Sequence, residues 1–308
     1  MLKKLLLALM IVTPAYAGQQ VEIVTRFGPS TSSGRFAIEA MNMLNEMQKD
    51  YDFKVSVIIG ANGEAADQRA LVIGKTQPIL LWNSSSSYTF NRYFVGNTYD
   101  RDNDLIPLQG MASVPFSIQV APDSPIETYE DFIKFVKSKP VVYMGNTASS
   151  SSVNLLKAIL VKTNKIDNIK DLVYEKPFDI TRAVLTKEAD FTIFNPADVV
   201  GLKQLVTSSP DRTFKYRNVP IGKEVNMPDF IYTSQTLVSV PKEQKEFGEK
   251  IQPLLAKICY DQRFSDIVEK SNYFSSCLGP NGMKKRIVEE MKLIEKYKDS
   301  LDLTPGPK

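Results

Sequence analysis

Val21–Gly34 reads VEIVTRFGPSTSSG. A short run rich in β-branched residues ends at Phe27, a loop of Gly, Pro, Ser and Thr follows, and from Phe36 apolar residues return at helical spacing. The same junction occurs twice more. FKVSVII, residues 53–59, runs into GANG at Gly60–Gly63, and PVVYM, residues 140–144, runs into GNTASSSS at Gly145–Ser152. A helix N-terminus exposes unpaired N–H groups and the positive end of its dipole, and small residues let a ligand come close. Several such junctions gathered at strand ends form a pocket suited to an anionic small molecule.

Working outward, strand and helix patterns alternate. Phe36, Ala40, Met43, Leu44 and Met47 share a helical stripe, and Phe53–Ile59 has strand period ahead of a helix over 64–73. Gln77–Trp82 is a third strand, and Asn83 and Ser84 open a Ser-rich loop to Ser87. This alternation predicts parallel sheets with helices on both faces. Phe116–Val120 is strand-like, and Thr128 through Asp131 starts a capped helix. A second series follows: Val141–Met144, the Ser-rich loop, a helix carrying Leu155 and Ile159, and Leu172–Tyr174. Asp179 reads as an N-cap, and Phe191–Phe194 is a strand ending at Asn195. Thr233–Val240 is strand-like, and helices follow it to about Tyr297. Two series separated by single extended stretches predict two lobes: residues 18–118 with 236–308, and residues 119–235. The crossings fall near Phe116–Pro122 and Phe230–Val240.

Composition narrows the function classes. Residues 1–17 read as a secretory signal peptide, with Lys3 and Lys4 ahead of an apolar Leu5–Val12 and an Ala15-Tyr16-Ala17 cleavage site. The expectation is a periplasmic protein. Without Lys3 and Lys4 the 38 basic residues become 36, against 35 acidic, a balance that offers no footing for nucleic acid. The absence of histidine removes Ser-His-Asp and Cys-His sites and the commonest zinc ligand. In an exported protein the two cysteines, Cys259 and Cys277, read as one disulfide. Asp100, Asp102 and Asp104 imitate half a calcium loop, but Leu105 and Met111 stand where Gly and Glu belong. A solvated turn is the better reading, and no metal or cofactor is expected.

These residues resemble the extracytoplasmic solute receptors of tripartite tricarboxylate transporters, the Bug or TctC-like family. Phe27, Pro29 and Ser30–Ser33 are similar to the family's F-x-P-G-G-x-x-D loop, and Ile59–Gly63 to its N-K-P-G-A-G-G loop. VPFSIQVAPDSPIETYEDFIKFVKSKP, residues 114–140, looks like its crossing segment. GNTASSSS is similar to G-S-A-G-N-G-T-S-S, and ADFTIFNPADVV to V-D-V-M-F-D-N-L. The chain departs from the pattern where Gly34 replaces the Asp and where Glu64-Ala65 replaces a Gly pair. The resemblance implies a type II periplasmic-binding-protein fold, two α/β lobes with a ligand cleft between them. It implies a carboxylate held by backbone amides, hydroxyls and water. The first-lobe role falls to Phe27, Gly28, Pro29, Ser30, Thr31, Ser32, Ser33, Asn62 and Gly63, with Asn83 and Ser84 at the third loop. Thr147, Ser151, Ser152, Phe178, Asp179 and Asn195 take the second-lobe role. The implied partners are a small organic acid and membrane transporter subunits, and the protein is expected to be a monomer.

Blander readings stand beside these. Ser30–Ser33 can simply cap a helix, which is compatible with binding because capping leaves N–H groups over. Arg26, Arg35 and Arg69 can each pair bidentately with a second ligand carboxylate or read as surface or inter-element ion pairs, and Trp82, Tyr88, Tyr174 and Phe178 can line the cleft or pack at strand ends. A sensor with the same pocket, or an exported enzyme working through carboxylates, are the competing functions. Genomic neighbours separate the sensor from the receptor, and product formation exposes the enzyme.

Overall fold

In the computed structural model, residues 18–60, 63–94, 96, 98–147, 151–212 and 216–301 are described. Residues 1–17, read above as a signal peptide, Asn62, Ser149, Ser150 and residues 302–308 lie outside them, as does the side chain of Ser151.

The chain begins β1 (Gln19–Thr25), α1 (Ser32–Met47), β2 (Tyr51–Val57), α2 (Glu64–Ile73), β3 (Ile79–Ser84), the single turn α3 (Asn91–Phe94) and β4 (Leu105–Pro115). It then crosses to β5 (Ser117–Val120), α4 (Tyr129–Ser138), β6 (Val142–Thr147), α5 (Ser151–Asn164), β7 (Ile169–Tyr174), α6 (Pro177–Leu185), β8 (Phe191–Phe194) and β9 (Lys203–Thr207). It returns through β10 (Thr233–Pro241), α7 (Lys245–Tyr260), α8 (Gln262–Lys270), β11 (Phe274–Ser275) and α9 (Pro280–Tyr297). Two sheets result, in the orders β11-β4-β10-β3-β1-β2 and β7-β6-β8-β5-β9.

The expected parallel pairing holds only for β2-β1-β3 and β7-β6-β8. Where the chain crosses between sheets, β10 runs antiparallel to β3 and β4, and β5 antiparallel to β8 and β9. The long β4 is not expected from its sequence, because Pro107, Gly110 and Pro115 read as breakers. The fold accommodates them. A register shift against β10 falls beside Pro107, and Gly110 donates its N–H to the Leu278 carbonyl at 2.7 Å.

Local chemistry sets the element ends. Thr31 accepts the Gly34 N–H at 3.1 Å, so α1 starts from a side-chain cap. A Cβ on Gly34 would stand 2.0 Å from the Gly28 carbonyl oxygen. That contact explains the glycine where the resemblance leads one to expect aspartate. Thr128 and Asp131 form the anticipated capping box. Asp179, expected as an N-cap, is instead the third residue of α6. Pro177 takes the first position, where its missing N–H costs nothing, and Lys176 holds the N-cap position without a side-chain cap bond. Asn83 and Ser84 belong to β3 rather than to a loop, because they pair with Leu237 and Thr236 of β10. Asp100 accepts the Asp102 N–H, and Asp104 the Asp100 N–H, closing a turn.

Phe36, Leu44, Phe53, Trp82, Ile251, Leu255 and Phe264 form a core on one face of the first sheet; Val24, Ala70, Ile79 and Met283 pack on the other. Phe132, Leu156, Ile159, Phe191 and Ile193 centre the second lobe, and Ile294 and Tyr297 of α9 join them. The last helix therefore packs against both lobes rather than returning wholly to the first. Cys259 and Cys277 are joined by a disulfide, with Cα atoms 5.6 Å apart. Among the described residues no helix is long and apolar enough to cross a membrane.

Candidate functional site

A cavity of about 190 Å³ opens between the two sheets. From the side of the first sheet come Arg26 and Phe27 from the end of β1, Ser33 from α1, Ser86 after β3, Val114, Ser234, Thr236 and Tyr273. The second lobe contributes Thr147 from β6, Ser152 from α5, Phe194 at the end of β8, and Asn195 and Asp198 after it, with Phe116 at the crossing. Its volume is below the roughly 300–1,000 Å³ of drug-sized sites, so it suits a ligand of metabolite size.

Arg26 is the cation among the described residues of this lining. One guanidinium nitrogen donates to Ser84 Oγ at 3.0 Å and Ser86 Oγ at 3.3 Å, and the guanidinium lies 4.9 Å from the Phe27 ring centroid. It rests on Gly63, where φ is 93° and a Cβ would lie 2.4 Å from Arg26 Cδ. Glycine is needed there on both counts. Burial lowers the Arg26 pKa, and the negative charge of Asp67 opposes that. Asp67 on α2 is itself buried. It accepts from Tyr99 Oη at 2.9 Å and Ser87 Oγ at 3.3 Å, and burial pushes its pKa up to about 6.

On the opposite wall, Asn195 and Asp198 hold each other. Asn195 Nδ2 donates to Asp198 Oδ2 at 2.7 Å, and the Asp198 N–H donates to Asn195 Oδ1 at 2.9 Å. Burial raises the Asp198 pKa against the pull of Asn195 and of Arg35. Ser152 Oγ donates to Tyr232 Oη at 3.2 Å, and Tyr232 in turn donates to the buried Glu290 at 3.2 Å. Ser33 Oγ accepts from Trp82 Nε1 at 3.1 Å.

Of the residues anticipated from the sequence, the structure brings Phe27, Ser33, Thr147, Ser152 and Asn195 to this cavity. Others stand behind it or away from it. Gly28 and Thr31 are spent on the α1 cap, since the Gly28 carbonyl accepts from Thr31. Pro29 and Ser30 are exposed. Ser32 accepts from Arg35 at 3.2 Å. Gly63 supports Arg26, Ser84 accepts from it, and Asn83 accepts from Ser239. Phe178 is 72% exposed, and Asp179 pairs with Arg182 at 3.5 Å. Asn62 and the Ser151 side chain lie outside the described residues.

Arg69 pairs with Glu22 as expected, and Trp82 and Tyr88 are core residues. Arg26 and Asp198 are the charged residues among the lining positions that the sequence reading did not assign to the site. Arg26 carried a signal, since it immediately precedes the Phe27 loop. Asp198 lies three residues past the Asn195 motif and becomes legible only once the turn is seen.

No protein-family model matches the chain, and no curated protein does. Solved structures match along nearly the whole length. An adipate-bound protein of R. palustris has a TM-score of 0.77 at 17% identity, covering 94% of this chain and 99% of its own. The periplasmic binding protein BugD gives 0.74 at 17%, covering 92% and 97%. A malate-bound MatC from Rhodopseudomonas palustris gives 0.71 at 13%, covering 92% and 98%. The likeness shows the fold: this chain has the two-lobe α/β architecture of periplasmic binding proteins.

Proposed function

We propose that the chain is a periplasmic solute-binding receptor, not an enzyme, that captures a small organic acid and delivers it to a membrane transporter of the tripartite tricarboxylate type. The observation that carries this reading is the cavity between the lobes. A guanidinium and several hydroxyls from both sides converge there on a space of metabolite size. Charge-assisted hydrogen bonds to a carboxylate are the strong kind, worth about 1.5–3 kcal/mol each. The carboxylates bound to the adipate and malate structures sit in proteins of the same fold, which supports the ligand class. The receptor acts as a monomer, without metal or cofactor. Its lobes comprise residues 18–118 with 236–308, and residues 119–235.

A thermal-shift screen against mono-, di- and tricarboxylates, followed by calorimetry, tests the reading. A ligand at a hundredfold excess over Kd adds about 2.7 kcal/mol of apparent stability. Arg26→Met should weaken whichever acid binds by at least tenfold while leaving the protein folded. Silence across the screen, or equal affinity in that variant, would sink the proposal. The transporter half is tested by uptake: deleting the receptor should abolish uptake of the identified acid.

A further inference from the structure

We propose that Glu290 on α9 is a positioning residue of the cavity. Without touching a bound solute, it fixes the Ser86 turn on one side and the Ser152 hydroxyl on the other. Its effect on affinity rests on the receptor reading above, and the positioning itself is testable with no ligand present.

The anchor of this arrangement is α9. Met283 near its start packs in a core of the first sheet, and Ile294 and Tyr297 near its end pack in that of the second. Glu290 stands between these anchors and is 4% exposed. Its Oε1 accepts from Thr89 Oγ1 at 2.7 Å and from Tyr232 Oη at 3.2 Å. Thr89 belongs to the turn after β3 that carries Ser86, and Tyr232 accepts from Ser152 Oγ at 3.2 Å. Ser86 and Ser152 line the cavity, while Glu290, Thr89 and Tyr232 stand behind it. One oxygen atom of α9 therefore braces both walls. One helical turn earlier, Arg286 donates to the Thr233 carbonyl and to Thr233 Oγ1 at 3.1 Å. Two side chains of α9 thus hold consecutive residues of the return crossing.

Burying a carboxyl group is costly unless its partners compensate. Glu290 draws little relief from the arginine on its own helix. Arg286 Nε lies 4.0 Å from Glu290 Oε2, and that oxygen has no hydrogen-bond partner among the described residues. The bonded oxygen is turned instead to two hydroxyls on separate pieces of chain. Both hydroxyls sit where regular structure gives little support: Thr89 follows a single turn at Ser85–Ser87, and Tyr232 precedes β10. A bland reading makes Glu290 a filler that satisfies two buried hydroxyls. The positioning reading adds that the cavity depends on it, because groups ordered before a solute arrives cost less to order on binding. Slackening Glu290 then lowers affinity through lost preorganisation, with every lining residue still in place.

Hydrogen–deuterium exchange on the full mature protein, read by mass spectrometry with no ligand added, separates positioning from filling. Glu290→Met keeps the length of the side chain and removes the acceptor. It should speed exchange at least tenfold in peptides covering the turn after β3 and the start of α5, while those covering β2 and α4 keep wild-type rates. Glu290→Gln returns an acceptor oxygen and should recover most of the protection. Two milder variants divide the arms: Tyr232→Phe should loosen the start of α5 alone, and Thr89→Val the turn alone. Acceleration spread evenly over the protein, or confined to α9, overturns the inference, as does a Gln variant no better protected than Met. Calorimetry then reads affinity, with succinate and citrate as probes and any further acid that the wild type binds in the screen. Glu290→Met should weaken binding at least tenfold and Glu290→Gln by less than threefold. A Met variant that melts lower yet binds as tightly as wild type is a filler variant, and overturns the inference while the receptor reading stands. A wild type that binds no acid defeats the receptor reading, and the exchange arms still decide the role of Glu290.

Discussion

Asp67 offers a direct way to test the charge arrangement behind the cavity. Its carboxyl is buried on α2, and burial lifts its pKa from the ordinary aspartate value of 3.8 to about 6, although Tyr99, Ser87 and Arg26 each pull it back down. The folded protein therefore holds this proton more tightly than the unfolded chain does. The stabilisation is fully present below pH 3.8 and is lost as pH rises through about 6. A difference of about two pH units, at about 1.36 kcal/mol each, comes to about 3 kcal/mol. Asp67→Asn cannot titrate. Its amide can donate to the Tyr99 or Ser87 oxygen after a hydroxyl turns around, so most of the local bonding survives.

Relative to wild type, Asp67→Asn should gain about 3 kcal/mol between pH 3.5 and 7.5. Guanidinium unfolding at half-unit pH steps measures it, and taking the difference between the two proteins cancels every other carboxylate. In melting experiments the gain corresponds to roughly 6–12 °C. Carboxylate affinity should hold or improve in the variant, because Arg26 loses an opposing charge. A difference between the two proteins that stays flat across pH would refute the reasoning, and would mean that Asp67 is as solvated as an ordinary surface aspartate.

Glu290 is also buried, and burial raises its pKa, so the same sign applies: Glu290→Gln should gain on wild type as pH rises above 4.5. Glu290→Ala removes the acceptor of Thr89 and Tyr232 and should cost about 1–3 kcal/mol at any pH in chemical unfolding. A Gln variant that loses ground with rising pH would contradict the assignment. The Cys259–Cys277 bond closes a loop spanning 18 positions, so its reduction should lower stability by about 3 kcal/mol. Thiol labelling of the native protein should find neither cysteine free.

Much of the architecture was legible because most elements depend on local pattern. The α1 stripe at Phe36, Ala40 and Leu44, the Thr128 capping box and the strand at Phe191–Phe194 each follow from period and cap chemistry alone. β4 was hidden because its prolines and Gly110 are tolerated only through pairing with β10 and contact with Leu278, both distant in sequence. Asp179 was misplaced by one turn because Pro177 decides where α6 begins. In the site, strand-end loops pointed to Phe27, Ser33, Thr147, Ser152 and Asn195. The same reasoning overcounted, since a loop that caps a helix spends Thr31 and Gly28 on the cap. It also undervalued charge. Whether an arginine faces a cavity or an ion pair depends on what lies behind it, and Gly63, Ser84 and Ser86 come from other parts of the chain.

The junction between the lobes bears on how the two walls of the cavity are built. The lobes meet where Phe116, Ser208 and Tyr232 form a small knot. The Phe116 N–H donates to Ser208 Oγ at 2.8 Å, the Ser208 N–H to the Phe116 carbonyl at 2.8 Å, and the Tyr232 N–H to the Ser208 carbonyl at 2.9 Å. Tyr232 then reaches Ser152 and Glu290, and Glu290 reaches Thr89. The hinge, the second-lobe wall and the last helix thus share one buried polar chain. Such a chain resists stretching, because each member left unpaired costs about 1–3 kcal/mol. Arg26 and Asp198 line the cavity from opposite lobes, so their separation would change with any change in the angle between the lobes. A ligand that engages both has its greatest differential affinity for one lobe angle, and differential affinity is what shifts a conformational equilibrium. With the two lining charges on opposite lobes, a ligand bound to both would couple its recognition to the lobe angle.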